Sequence, residues 1–117
     1  MSRPRRKRTV SDVGDDLLQE VKDNLILDHD EDDKLIKRYI RNAVAYAESY
    51  QKKPGGTYKR ADDMPLTTRQ AVVMLASHYY ESRDGATGGY FAVSVRAGEH
   101  AQEVINGMLR LEKDWQV

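Results

Sequence analysis

Apolar residues recur along the chain with a period near that of an α-helix, and they do so in separate blocks. From Ser11 onward Val13, Leu17, Val21 and Leu25 fall at i, i+4 spacing, with Leu18 beside them and Asp15 and Asp16 near the start, so the pattern predicts a first helix ending near Asp28. Leu35, Ile36, Tyr39, Ile40, Ala43, Val44, Ala47 and Tyr50 form the next series, with Lys34, Lys37, Arg38, Arg41 and Glu48 on the other side. This is the clearest amphipathic helix, and Lys53-Pro54-Gly55-Gly56 ends it.

A polar loop runs through Asp63, after which Pro65 and Thr67 announce a third helix. Its buried side is Ala71, Val72, Leu75, Ala76, Tyr79 and Tyr80, and Val73 and Met74 widen the apolar surface. A helix apolar on more than one face is expected at the centre of a bundle. Past the glycines of 84–89, Phe91, Val93 and Val95 alternate with Ala92, Ser94 and Arg96, which reads as a short strand or an extended arm seeking a partner. From Glu99 to Trp115, Ala101, Val104, Ile105, Met108, Leu109 and Leu111 predict a fourth helix. The expected fold is an all-α bundle of about four helices, with a basic, disordered arm over 1–10 and one helical domain over 11–117.

At 117 residues and 39% hydrophobic content there is room for one small core, and a domain of this size leaves apolar surface that favours association. Mean hydropathy is −0.76, and no apolar run approaches the length needed to cross a bilayer, so no membrane partner is expected. The absence of cysteine removes disulfides, thiolate nucleophiles and cysteine-based zinc sites together. Net charge is zero, but Arg3, Arg5, Arg6, Lys7 and Arg8 hold 5 of the 19 basic residues, leaving an acidic body. Such an arm suits phosphate, nucleic acid or an acidic partner.

The stretch LILDHDEDDKLI places Asp28, Asp30 and Asp32 at the first, third and fifth positions of a calcium loop. Asp33 then stands where the loop needs glycine and Tyr39 where it needs a bidentate acid, so the cage does not close. The acids are better read as a helix start: Asp28 or Asp30 accepts free amides, while Glu31, Asp32 and Asp33 sit at the positive end of the dipole. His78 lies one turn from Glu81, but His29 and His100 are in other segments, so a structural histidine outweighs a ligand. KPGGTYKR and GATGGY lack the phosphate-loop pattern, and Ser77 and Ser82 sit in no nucleophile elbow. Neither an enzyme nor a bound cofactor is expected. Zinc-finger and RNA-recognition motifs are missing, and the third helix is too apolar to read a DNA groove.

Three stretches carry a family resemblance, two through their residues and the third, a loop and a C-terminal helix, through position alone. LLQEVKDNLILDHDEDDKLIKRYIRNAVAYAESYQ resembles the opening pattern of the head-tail connector (adaptor) proteins of tailed bacteriophages through Val21, Lys22, Leu25, Leu27, Asp28, Asp32, Leu35, Ile36, Ala43, Ala47 and Tyr50. MPLTTRQAVVMLASHYYESRD resembles the same family through Pro65, Arg69, Ala71, Val72, Leu75, His78, Tyr79, Tyr80 and Arg83. The likeness covers roughly residues 17–84 well; the Arg-rich start and the segment from Gly88 onward depart from it.

The resemblance implies a virion structural protein at the head-tail junction, assembled in the host cytoplasm as a homo-oligomeric ring, usually a dodecamer. It would sit beneath the portal protein, extend the channel through which DNA passes without sequence-specific binding, and offer a surface to a stopper or tail-completion protein. A closed ring needs two different complementary patches on each subunit. Candidate inter-subunit ion pairs set Lys34, Lys37, Arg38 and Arg41 against Asp15, Asp16 and Glu20; Phe91, Val93 and Val95 are the candidate docking arm. The alternative is a small nucleic-acid-binding or regulatory protein using Arg3, Arg5, Arg6, Lys7 and Arg8, with the helical body as its dimerisation module.

Overall fold

A computed structural model describes residues 11–83 and 88–112, with side chains omitted over 88–98. Four α-helices make up the described fold: α1 (Val13–Leu25), α2 (Asp33–Tyr50), α3 (Leu66–Ser82) and α4 (Gly88–Arg110), with one 3-10 turn at Ala61–Asp63. The all-α bundle expected from periodicity is the architecture observed.

Each helix boundary has a local cause. Asp12 caps α1 reciprocally with Asp15: the Asp15 amide donates to Asp12 Oδ1 at 3.2 Å and the Asp12 amide to Asp15 Oδ2 at 3.0 Å. Two residues into α1, a Cβ on Gly14 would stand 3.3 Å from the Lys37 carbonyl, so glycine allows α1 and α2 to approach closely there. α1 stops at Leu25, earlier than the acidic run suggested, because Ile26 turns left-handed (φ 59°). The Ile26 amide then donates to the Asp23 carbonyl and the Leu27 amide to the Lys22 carbonyl, a Schellman closure. α2 ends the same way: Lys52 is left-handed (φ 61°), its amide donates to Ser49 O and that of Lys53 to Glu48 O.

Side-chain pairs along the helices set their directions. Asp12 with Arg41, Asp15 with Lys37 and Lys22 with Asp33 make α1 antiparallel to α2. Asp32 with Tyr80 and Gln51 with Thr68 make α3 antiparallel to α2 along its full length. Tyr46 with Asn106 and Gln51 with the Leu109 carbonyl make α4 run with α2. Thus α1 covers the first half of α2, the C-terminal part of α4 covers the second half, and α3 touches all three. Its buried set, including Ala71, Val72, Val73, Leu75, Ala76 and Tyr80, wraps more than one face, as its sequence required.

Leu17, Ile36, Ile40, Leu75, Ile105 and Leu109 are fully buried at the centre. Each contributes about 1.5–3 kcal/mol through removal of apolar surface from water.

Two expectations are corrected. The segment holding Phe91, Val93 and Val95 has a helical backbone continuous with α4, neither strand nor extended arm. A short apolar run fits both periods, and here it joins the helical pattern beginning at Glu99. Glu48, placed on the polar face, is buried because its carboxylate accepts the amides of Gly56 at 3.3 Å and Tyr58 at 2.8 Å, tying down the loop after α2.

Candidate functional site

The described surface is organised by charge, and nearly half of its charged side chains are paired within the chain. Lys37 Nζ lies 2.8 Å from Asp15 Oδ1, and Arg41 Nε 2.9 Å from Asp12 Oδ2, which joins α1 to α2. Arg60 grips Asp16 with two guanidinium nitrogens at 2.7 and 2.6 Å, while the Ala61 amide donates to the same carboxylate at 3.0 Å. Donation from Arg60 first, then from the Ala61 amide, pulls the Asp16 carboxyl down to about 2. Donation from Lys37 likewise lowers the Asp15 carboxyl. Arg69 reaches Glu20 at 3.0 Å across the groove between α1 and α3.

Of the seven residues set out as ion-pair candidates, Lys37, Arg41, Asp15, Asp16 and Glu20 therefore have partners inside their own subunit. Lys34 and Arg38 are exposed on α2 and form no ion pair among the described residues. Exposed pairs contribute about 0–1 kcal/mol each, so the intrachain set fixes helix register more than it adds stability. Phe91, Val93 and Val95 have helical backbone, but their side chains lie outside the described residues, as do Arg3, Arg5, Arg6, Lys7 and Arg8.

The acidic stretch before α2 has a role that differs from a cap. Asp32 occupies the N-cap position without a side-chain cap bond, and neither Asp28 nor Asp30 caps the helix. Asp30 Oδ1 instead accepts from Lys22 Nζ at 2.6 Å, and Lys22 Nζ also lies 3.0 Å from Asp33 Oδ1. The Asp33 contact is a charge contact without hydrogen-bond alignment, since that oxygen is buried and has no hydrogen-bond donor. Donation to Asp30 first, and then the Asp33 carboxylate beside it, raises the Lys22 ammonium above its ordinary value, and the same donation lowers the Asp30 carboxyl. Asp32 accepts the Tyr80 hydroxyl, and Arg83 stacks 3.8 Å from the Tyr80 ring centroid. A cation reaching back from α1 captured the acids, and local sequence cannot show that.

At the other end of α2 a buried neutral network was missed altogether. Gln51 is fully buried; its Nε2 donates to Thr68 Oγ1 at 2.8 Å and to the Leu109 carbonyl at 3.1 Å, and its Oε1 accepts the Tyr58 hydroxyl at 2.6 Å. One side chain thus joins α2, the loop, α3 and α4. Burial pushes the Tyr58 hydroxyl up.

Among the described residues no cluster of three or more His, Asp or Glu side chains could hold a metal ion, and His78 is half-buried. No described helix is long and apolar enough to cross a membrane. What the surface offers is apolar side chains in charged surroundings: Ile26 is 90% exposed, Leu66 80% and Leu111 70%.

The family model of the phage gp6-like head-tail connector protein matches residues 15–108, which span α1 through nearly all of α4. The chain belongs to that family. No curated protein and no solved structure matches the sequence. As a family member the connector is a structural protein of the phage head-tail junction, and the resemblance seen over residues 17–84 extends through α4.

Proposed function

We propose that this connector assembles as a homo-oligomeric ring, twelvefold in the virion, on the lower face of the portal. There it extends the DNA channel and gives the stopper or tail-completion protein its attachment surface. The observation that carries this reading is the family match over 15–108, and the helical body agrees with it. Its core is closed by intrachain ties, while Ile26, Leu66 and Leu111 stay in water in the isolated subunit. The acidic body repels the DNA backbone, which favours passage over adhesion. Lys34 and Arg38 are the remaining candidates for ion pairs to a neighbour, and the part of α4 holding Phe91, Val93 and Val95 is the candidate segment for docking on the portal or the next subunit.

Negative-stain electron microscopy of the purified protein, alone and mixed with portal rings from the same genome, tests this. Rings, or an added layer on one end of the portal, are expected. A bare portal together with a chain that forms no rings overturns the reading. Deletion of residues 88–96 is expected to abolish assembly while far-UV circular dichroism still reports a helical domain; normal assembly by that variant removes α4's N-terminal part from the contact.

The second reading rests on the five basic residues between Arg3 and Arg8. A nucleic-acid binder shifts a random duplex at low salt and loses that shift on removal of residues 1–8. A connector retains its fold and portal binding without them.

A further inference from the structure

The loops at the two ends of α2 are opposite in charge. Residues 23–33 contain six acids, of which Asp30 and Asp33 face Lys22 and Asp32 faces Arg83; residues 51–60 contain four cations, of which Arg60 is held by Asp16. Asp28 and Glu31 at one end, and Lys52, Lys53 and Lys59 at the other, form no ion pair among the described residues. An 18-residue helix separates these loops by about 27 Å, so their charges do not neutralise one another within the subunit.

Each loop also lies beside exposed apolar side chains. Ile26 projects from the acidic loop at 90% exposure, in a left-handed conformation that a β-branched residue rarely adopts. At the basic loop, Gln51 binds Thr68 and the Leu109 carbonyl, which brings the neighbourhoods of Leu66 and Leu111 to the same end of the bundle. Both leucines are largely exposed. Asp62 and Glu112 lie near this end too; Asp62 stands 3.9 Å from Arg69, and Asp63 is engaged by the amides of Lys59 and Arg60.

We infer that a second copy of this chain covers these surfaces head to tail: the acidic loop and Ile26 of one subunit seat against the basic loop, Leu66 and Leu111 of the next. Opposite charge in the rims and apolar centres in both surfaces make the two ends complementary to each other, while each repels its own kind. The contact is heterologous, the type that closes into a ring when the rotation between copies allows it. It deepens the ring proposal above and rests on it for its place in the virion.

The absence of cysteine makes disulfide trapping clean. Glu31→Cys and Lys52→Cys, both at exposed positions, are introduced singly into the full chain, and far-UV circular dichroism checks the fold. Oxidation of the mixed variants is expected to give a reducible dimer containing one of each, and the double variant a ladder. Each single variant alone is expected to stay monomeric on a denaturing gel, and adding Ile26→Asp to Glu31→Cys to remove the mixed dimer. Equal dimer from either single variant alone means a face-to-face contact and overturns the inference. So does absence of the mixed dimer both in free protein and on portal rings. In that case, continued portal binding in the micrographs leaves the connector reading standing; a bare portal removes that reading separately.

Discussion

The two ends of α2 solve the same problem with different chemistry. At each end a helix, α1 at one and α2 itself at the other, stops in a Schellman turn with a residue other than glycine in the left-handed position, Ile26 or Lys52. The acidic end is then tied by charge, with Lys22 holding Asp30 and Asp33. The basic end is tied by the Gln51 amide, with buried, neutral partners in three other segments. Charge ties keep partial freedom because Asp30 is itself 86% exposed and water competes for it. A buried amide has no such competitor, so its loss is felt in full. The basic end is thus the rigid one and the acidic end the more adaptable.

The largest effect is therefore expected at Gln51. Gln51→Ala leaves the Tyr58 hydroxyl, Thr68 and the Leu109 carbonyl short of partners in a dry site, at a cost of about 3 kcal/mol, read as a lower urea midpoint. A loss below about 1 kcal/mol would mean that water enters and replaces the amide, and the contrast between the ends would collapse. At the other end, Lys22→Met keeps the buried stem and removes the charge, leaving the buried Asp33 oxygen without its cation. The Tm should fall by less than for Gln51→Ala, and adding Asp33→Asn should recover part of it. Independent, additive losses in the double variant would show that the pair does not couple.

What the sequence could reveal divides along the same line. The helices were legible because the core faces repeat at helical spacing: Val13, Leu17 and Val21 in α1 and Ile36, Ile40, Ala43, Val44 and Ala47 in α2 are buried as their positions required. Pro54 and the paired glycines announced the end of α2, but nothing marked Ile26 or Lys52 as the turning residue, because neither favours a left-handed conformation. Glu48 and Gln51 were opaque for a related reason. A polar residue becomes a core residue only when distant partners meet it, and Tyr58, Thr68 and Leu109 converge on Gln51 from up to 58 positions away. The period-two reading of Phe91, Val93 and Val95 failed because a few apolar residues fit either period, and the neighbouring helix decided. Of the surface, the charges could be read but their pairing could not, so Asp15, Asp16 and Glu20 looked free when each has a partner at home.

Acid should expose the charged ties before it touches the amide network. The Asp16 carboxyl ionises with an ordinary value of 3.8 in the unfolded chain and about 2 in the folded one, so between these values the unfolded state binds more protons. Its contribution is complete above the unfolded value and is lost as pH falls through the folded one. The lowered Asp15 and Asp30 carboxyls act in the same direction. Asp16→Asn is expected to flatten the fall of Tm between about pH 4 and pH 2 while changing the Gln51→Ala difference little. An unchanged acid limb would assign the acid sensitivity to other carboxylates.

The smallest expected change is a gain. Ile26 combines a left-handed backbone with 90% exposure, so its side chain contributes almost no burial to the subunit. Ile26→Gly relieves about 1–2 kcal/mol of backbone strain and loses about 0.5–1 kcal/mol through the freer unfolded chain, a net stabilisation of about 0.5 kcal/mol. Lys52→Gly is expected to gain less, since its side chain is unbranched at Cβ. Denaturant titration of the two variants side by side reads the difference. Added to Glu31→Cys, the same Ile26→Gly change should remove the mixed disulfide with Lys52→Cys, a gain in stability joined to a loss of association. That opposition separates an isoleucine placed for a neighbour from one placed for its own fold, and a destabilised Ile26→Gly would return the residue to the subunit's own packing.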